Sequence, residues 1–160
     1  MVLLVQNNAG VLARVSSMFM QRGFNIDSLT VSPTYDPHIS RITIMTTGDK
    51  RTFSQIMKQT GKLVETKMIF SVEPEFSVIR ELLLIKFSTD SSDIKTLNGI
   101  IDRYGAKRLD NSSGCFIVEL TETPEKIDTF LTEVESFNAL EICRSGATAL
   151  ERGLVSYEIK

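Results

Sequence analysis

Asn7, Asn8, Ala9 and Gly10 stand together just before an apolar-periodic segment that opens at Val11. Backbone N–H groups at a helix start lack intrahelical partners and carry the positive end of the helix dipole, so this loop suits a small carboxylate. Gly10 has no side chain, which lets a ligand approach the backbone closely. The Asn7 amide can accept from an ammonium and donate to a carboxylate. A free amino acid carries both groups. Turn and capping chemistry alone also places Asn and Gly in a strand-to-helix loop, so both readings stay open at this point.

The other reactive side chains offer less. His38, the single histidine, lies in a polar loop without Cys or His neighbours that would complete a metal set, and is read as solvated. Cys115 and Cys143 sit within the apolar stretches GCFIVEL and LEICRSG, outside any CxxC pair. They are expected to be buried structural thiols in a reducing cytosol. The carboxylates Glu122, Glu125, Asp128, Glu133 and Glu135 read as a solvated helix face, and no acid/base pair can be nominated. The glycines form neither GxGxxG nor a Walker pattern. The sequence therefore nominates no catalytic residue and no metal site.

The elements that must position these residues follow from periodicity. Met1 to Gln6 is a short apolar run, expected as a buried strand. Val11, Leu12, Val15, Met18 and Phe19 recur at helical spacing, and Gly23 is placed to stop that helix. Phe24 and Ile26, then Leu29 and Val31, alternate in two phases with Asp27 and Ser28 between them, as in a strand with a bulge or kink. Pro33 to Pro37 breaks it. RITIMTT continues as a strand, Phe53, Ile56 and Met57 mark a second helix, and Leu63 to Val72 reads as a further strand.

After Glu73, Pro74 and Glu75 the order repeats. Leu82 to Phe87 is a strand, and Ile94, Leu97, Ile100, Ile101 and Tyr104 form a helical stripe. Lys107 to Asp110 and Cys115 to Leu120 flank the turn-forming Asn111 to Gly114. Thr123 is the expected N-cap of a last helix with Pro124 at its first position and Ile127, Phe130, Leu131, Val134 and Phe137 on its buried face. Leu140 to Cys143 closes the pattern, leaving a tail from Gly146 with room for one helical turn. The fold class is α+β: two tandem ferredoxin-like β-α-β-β-α-β domains whose helices cover one face of an antiparallel sheet. The expected boundaries are 1–73, a linker at 74–79, and 80–160.

Composition narrows the function class. The 160 residues are 42% apolar and 24% charged, an ordinary globular mix. No apolar run approaches the ~18 residues that a membrane span requires, and the opening MVLLVQNN lacks a basic stretch before a long apolar core. The chain is expected to be soluble and cytoplasmic. A net charge of −2 leaves no basic excess for a phosphate backbone, so neither nucleic acid nor membrane is an expected partner. A half of this size buries only ~60% of its unfolded surface. A helix-free sheet face and open edges then invite another copy or another domain, and an oligomer is expected, most simply a two-fold dimer through the first domain.

The stretch NNAGVLARVSSMFMQRGFNIDSLTVSP resembles the opening of an ACT domain, specifically that of the small regulatory subunit of acetolactate (acetohydroxyacid) synthase. The resemblance is carried by Asn7, Gly10, Val11, Leu12, Arg14 and Val15, followed by Phe19, Arg22, Gly23, Asn25, Ile26, Ser28, Leu29, Thr30 and Val31. Asp36, Pro37, Ser40, Arg41, the run QIMKQTGKLVETKMI, Arg80, Glu81 and the late Arg144, Ser145 and Gly146 extend it over nearly the whole chain. Ala9 and Asn8 depart from the family, which often has Pro or Ser before the glycine and a charged residue after the first Asn.

The resemblance implies a noncatalytic subunit that docks on a large catalytic subunit, activates it and conveys feedback inhibition by a branched-chain amino acid, usually valine, bound between two ACT domains. Asn7 and Gly10 of one protomer, with Asn25 of its mate, would hold the α-amino and α-carboxyl groups, and Ala9 and Val11 in the same loop would also line the ligand site. Leu12 and Ile26 would contact the apolar side chain. Thiamine diphosphate, FAD and magnesium would belong to the catalytic partner, with no cofactor in this chain. The main alternative is a stand-alone amino-acid-binding ACT regulator of another enzyme or a transcription factor. An acylphosphatase-like hydrolase on the same fold would need an Arg-bearing phosphate loop, which Gly10, Val11 and Leu12 do not supply. An RNA-recognition module would need paired aromatic strand motifs that are absent.

Overall fold

Residues 1–90 and 93–153 are described in a computed structural model of the chain. They divide into two units, Met1–Val78 together with the segment from Ala147, and Ile79–Gly146.

In the first unit the elements are β1 (Val2–Gln6), α1 (Val11–Met20), β2 (Ser28–Pro33), β3 (Ile39–Met45), α2 (Lys50–Thr60) and β4 (Thr66–Phe70). The strands lie in the order β2-β3-β1-β4, with every neighbouring pair antiparallel. This is the expected ferredoxin-like arrangement. Successive strand residues point to opposite faces. Leu3 and Val5 of β1 and Ile42 and Ile44 of β3 join Val11, Val15 and Phe19 of α1 and Ile56 of α2 in one core. Each such side chain, fully buried, contributes about 1.5–3 kcal/mol. The helix ends are set locally. Asp49 accepts from the Thr52 N–H at 2.9 Å and starts α2. Gly23, at φ +72°, turns the chain out of α1 while the Phe24 N–H returns to the Phe19 carbonyl at 3.0 Å.

Two expectations for this unit are corrected. The β2–β3 register runs unbroken from Ser28 to Pro33, so there is no bulge; Phe24 and Ile26 precede the strand and pack on the core instead. Their two-phase alternation reflects a lead-in from the Gly23 turn, joined to β3 by the Asp27 N–H to Met45 carbonyl bond. The run Leu63 to Val72 is strand only over Thr66–Phe70, because residues 60–66 are taken up by tight turns.

The helix-free face of this sheet is covered from within the chain. Val2 and Leu4 point away from the helices, yet they are 0% and 6% exposed. Thr43 lies opposite Val2 and also opposite Thr30, and Arg41 lies opposite Leu4, so these residues share that face. The segment from Ala147 crosses it. Thr30 Oγ1 donates to the Ala147 carbonyl at 2.8 Å, the Ala147 N–H donates to Ser28 Oγ at 2.9 Å, and Arg41 Nη2 donates to the Ala149 carbonyl at 2.6 Å. Burial draws the Arg41 guanidinium pKa below its ordinary value, an effect countered by the Glu151 carboxylate. Thr148–Glu151 forms a strand, not the helical turn for which the tail has room. The described part of the tail groups with the first unit. Residues 154–160 lie outside the described residues.

The second unit repeats the order with β5 (Ser77–Ser88, beginning in the first unit), α3 (Ile94–Tyr104), β6 (Lys107–Ser112), β7 (Cys115–Glu122), α4 (Pro124–Glu133) and β8 (Ala139–Arg144). Strand order is β6-β7-β5-β8. Leu83, Ile85, Phe87, Phe116, Val118 and Leu120 pack beneath Leu97, Ile101, Ile127 and Phe130. Thr123 and Pro124 open α4 as expected. The cysteine expectation fails in part: Cys143 is exposed and Cys115 only half-buried. Cys143 lies on β8, the last strand of the sheet path, opposite half-buried Leu84 and not opposite a core residue. Alternation within LEIC cannot reveal that the strand is an edge.

Candidate functional site

The loop after β1 is tied down before α1 begins. The Asn7 N–H donates to the His38 carbonyl at 2.8 Å, and Asn7 Nδ2 donates to the Pro37 carbonyl at 2.9 Å. The β2–β3 hairpin therefore holds Asn7 from both backbone and side chain. Asn8 reaches back to Gln6 Oε1 at 3.3 Å, and Asn8 and Ala9 are exposed. Gly10 occupies the N-cap position at φ +86°, ψ −11°, a left-handed conformation that disfavours other residues. A Cβ placed there would meet nothing within 4 Å, so the space above Gly10 is open.

The helix that follows has no side-chain cap among the described residues. The Val11 N–H reaches the Asn8 carbonyl at 3.3 Å and the Arg14 N–H the Gly10 carbonyl at 3.1 Å. The intervening Leu12 and Ala13 N–H groups are first-turn donors with no intrahelical acceptor available. The Val11 side chain belongs to the core and its N–H is engaged. Leu12 is 41% exposed on the same turn, where it can meet an apolar group. Arg14 is ion-paired with Glu65.

Asn25 and Ile26 lie past the other end of α1. They line a shallow hollow with Ser16, Met20 and Gly23. Asn25 is exposed and Ile26 half-buried. With ten residues, α1 is about 15 Å long. Gly10 and Asn25 of one chain are therefore too far apart to grip the same small head group. The structure brings Asn7, Ala9, Gly10 and Leu12 together and leaves Asn25 and Ile26 as a separate cluster.

The second cluster has members that periodicity did not single out as site residues. Asn25 Nδ2 donates to Asp27 Oδ1 at 2.9 Å, Thr47 Oγ1 donates to Asp27 Oδ2 at 2.8 Å, and Thr46 Oγ1 donates to the Asn25 carbonyl at 2.7 Å. The Asn-x-Asp spacing was a usable signal for the first contact. Thr46 and Thr47 arrive only through tertiary pairing at the end of β3. Among the described residues no group of three or more His, Cys, Asp or Glu is placed to hold a metal ion, and no helix is long and apolar enough to cross a membrane.

Comparison with known proteins fits this geometry. Residues 1–67 match the family described as an AHAS small subunit-like ACT domain, and residues 80–153 match the small subunit of acetolactate synthase. The acetolactate synthase small subunit of Mycolicibacterium smegmatis is 39% identical over 150 residues, covering 94% of this chain and 88% of the relative. The isozyme 3 small subunit of Escherichia coli is 36% identical over 151 residues, covering 94% and 93%. The crystal structure of the acetolactate synthase small subunit from Thermotoga maritima superposes with a TM-score of 0.86 at 36% identity, covering 96% of each chain. With an ACT-type first half, a second ferredoxin-like half and relatives matched almost end to end, the chain belongs to the acetolactate synthase small-subunit family.

Proposed function

We propose that this chain is a regulatory subunit that raises the activity of an acetolactate synthase large subunit in the cytoplasm and transmits feedback inhibition by a branched-chain amino acid, valine first among them. The observation that carries the reading is the separation of the two clusters along α1. Asn7 and Gly10 at one end and Asn25 at the other can serve one ligand only if a second copy supplies the missing half, as in a two-fold ACT dimer. The carboxylate would lie over Gly10 against the first-turn N–H groups, with the apolar side chain against Leu12 and Ile26. Thiamine diphosphate, FAD and magnesium would reside in the large subunit, where the bonds are made.

Regulation asks little energy of such an arrangement. Two states of the dimer that differ in ligand affinity supply the ~1–3 kcal/mol typical of allosteric coupling. The test is activity of a purified large subunit with and without this chain across a valine titration. Activation followed by valine-dependent loss is the expected pattern. An unchanged rate on adding this chain would remove the partner assignment, and activation that ignores valine, leucine and isoleucine alike would remove the effector.

A further inference from the structure

We propose that Asp27 is a positioning residue that fixes the amide of Asn25 with its oxygen outward, so that the site selects an α-ammonium and rejects the corresponding 2-hydroxy and 2-oxo acids. The inference rests on the amino-acid-binding reading above and adds to it the polarity of recognition.

An asparagine amide can present either an acceptor oxygen or an NH2 donor, and the two orientations occupy nearly the same space. What decides is the group behind it. An ionised carboxylate only accepts, so it tolerates the NH2 end of Asn25 and repels the oxygen. Asp27 Oδ1 takes that NH2 at 2.9 Å. Its own orientation is fixed by Thr47 Oγ1 at 2.8 Å on the other oxygen and by the Asp27 N–H bond to the Met45 carbonyl at 2.9 Å. Thr46 Oγ1 holds the Asn25 backbone carbonyl at 2.7 Å. The outward group of exposed Asn25 is therefore an acceptor. Asn7 has the same polarity, because its NH2 donates to the Pro37 carbonyl at 2.9 Å, and a carbonyl also cannot face the amide oxygen. Two outward amide oxygens match a group with three N–H donors. A hydroxyl satisfies one of them, and a 2-oxo group confronts both with a third acceptor. The amino acid is thereby separated from the 2-oxo acid of identical carbon skeleton, a distinction that apolar contacts with Leu12 and Ile26 cannot make.

The test is calorimetric titration of the intact chain with L-valine, 2-hydroxy-3-methylbutanoate and 3-methyl-2-oxobutanoate, with thermal melts alongside. For the natural chain, L-valine is expected to bind about a hundredfold more tightly than either analogue, as a site built on specific polar contacts should. Asp27→Ala frees the amide to turn, so L-valine should weaken about tenfold, the size of one hydrogen bond to a charged group, while the analogues hold or gain. The ratio of affinities is the diagnostic readout, since loosening of the loop would weaken all three together. Asp27→Asn should restore the ratio, because its carbonyl can still accept from Asn25 while its NH2 meets Thr47. An unchanged ratio in Asp27→Ala, or a ratio lost equally in Asp27→Asn, would overturn the positioning role while leaving amino-acid binding intact. Failure of the natural chain to bind L-valine, L-leucine or L-isoleucine would overturn the binding reading and this inference with it.

Discussion

Arg144 grips Glu81 with two nitrogens, Nε to Oε1 at 2.7 Å and Nη2 to Oε2 at 2.8 Å, while its third nitrogen donates to Asp128 Oδ1 at 2.7 Å. The pairing joins the start of β5 to the end of β8 and to α4. Hydrogen bonding to Glu81 holds the guanidinium more firmly protonated than an ordinary arginine. Glu81 is 5% exposed and the Arg144 side chain 35%. Removing Arg144 strands a buried carboxylate, so Arg144→Ala should lower stability by about 2 kcal/mol, below the figure for a fully buried pair because one partner is partly hydrated. Arg144→Lys cannot reproduce the two-pronged contact and should fall between. Urea midpoints at neutral pH measure both. A midpoint for Arg144→Ala equal to that of the natural chain would show that the pair adds nothing.

The segment that closes the helix-free face of the first sheet makes a second prediction. Ala147 is 1% exposed, and its N–H has Ser28 Oγ as acceptor. Ser28→Ala leaves that buried donor unsatisfied at a cost of about 1–3 kcal/mol, and Thr30→Val removes a bond worth about 1 kcal/mol. Hydrogen exchange at residues 147–151 should accelerate in both variants, more in Ser28→Ala. Exchange as slow as in the natural chain would mean that these two hydrogen bonds do not hold the segment.

The caps of α2 and α3 should give an acid-dependent stability. Asp49 accepts from the side chain and backbone of Thr52, and Asp93 does the same with Thr96, which holds both carboxyls below their ordinary range. A pKa depressed in the folded state favours the ionised form there. The contribution is complete above the unfolded value of about 3.9 and disappears as pH falls through the lower folded value. The melting-temperature gap between the natural chain and Asp49→Ala should therefore be constant near neutrality and close in acid. A gap that widens on acidification would contradict the sign.

Gly10 separates stability from binding. Any side chain there meets open space but must adopt φ +86°. Gly10→Ala and Gly10→Asp should each lose about 1–2 kcal/mol for the left-handed backbone. Only the aspartate places an anion where the ligand carboxylate is proposed to sit, so only it should abolish valine binding in calorimetry. Binding by Gly10→Asp at the natural affinity would move the carboxylate elsewhere.

Much of the fold was legible because its determinants are local or periodic. The stripe Val11, Val15 and Phe19 can bury itself only as a helix, and Thr123 with Pro124 can begin one without any distant partner. Asp49 and Asp93 were missed as caps although each stands one residue before its helix, a signal as plain as that of Thr123. Asn7, Ala9, Gly10 and Leu12 were found together because they are neighbours in sequence. Asn25 was singled out by resemblance, and its distance from Gly10 followed from the helix between them.

Local residues were enough to set the order of strands and helices in each half, the buried faces of α3 and α4 and the loop opened by Gly10, since each depends on residues within a turn or a strand of one another. The company those residues keep came from the folded sheet alone. Thr47 reaches Asp27, Pro37 takes the amide of Asn7, and Ala147 crosses the face of Val2 and Leu4. These contacts span 20, 30 and more than a hundred residues of chain, and no periodicity encodes a pairing that exists only once the sheet register has set it.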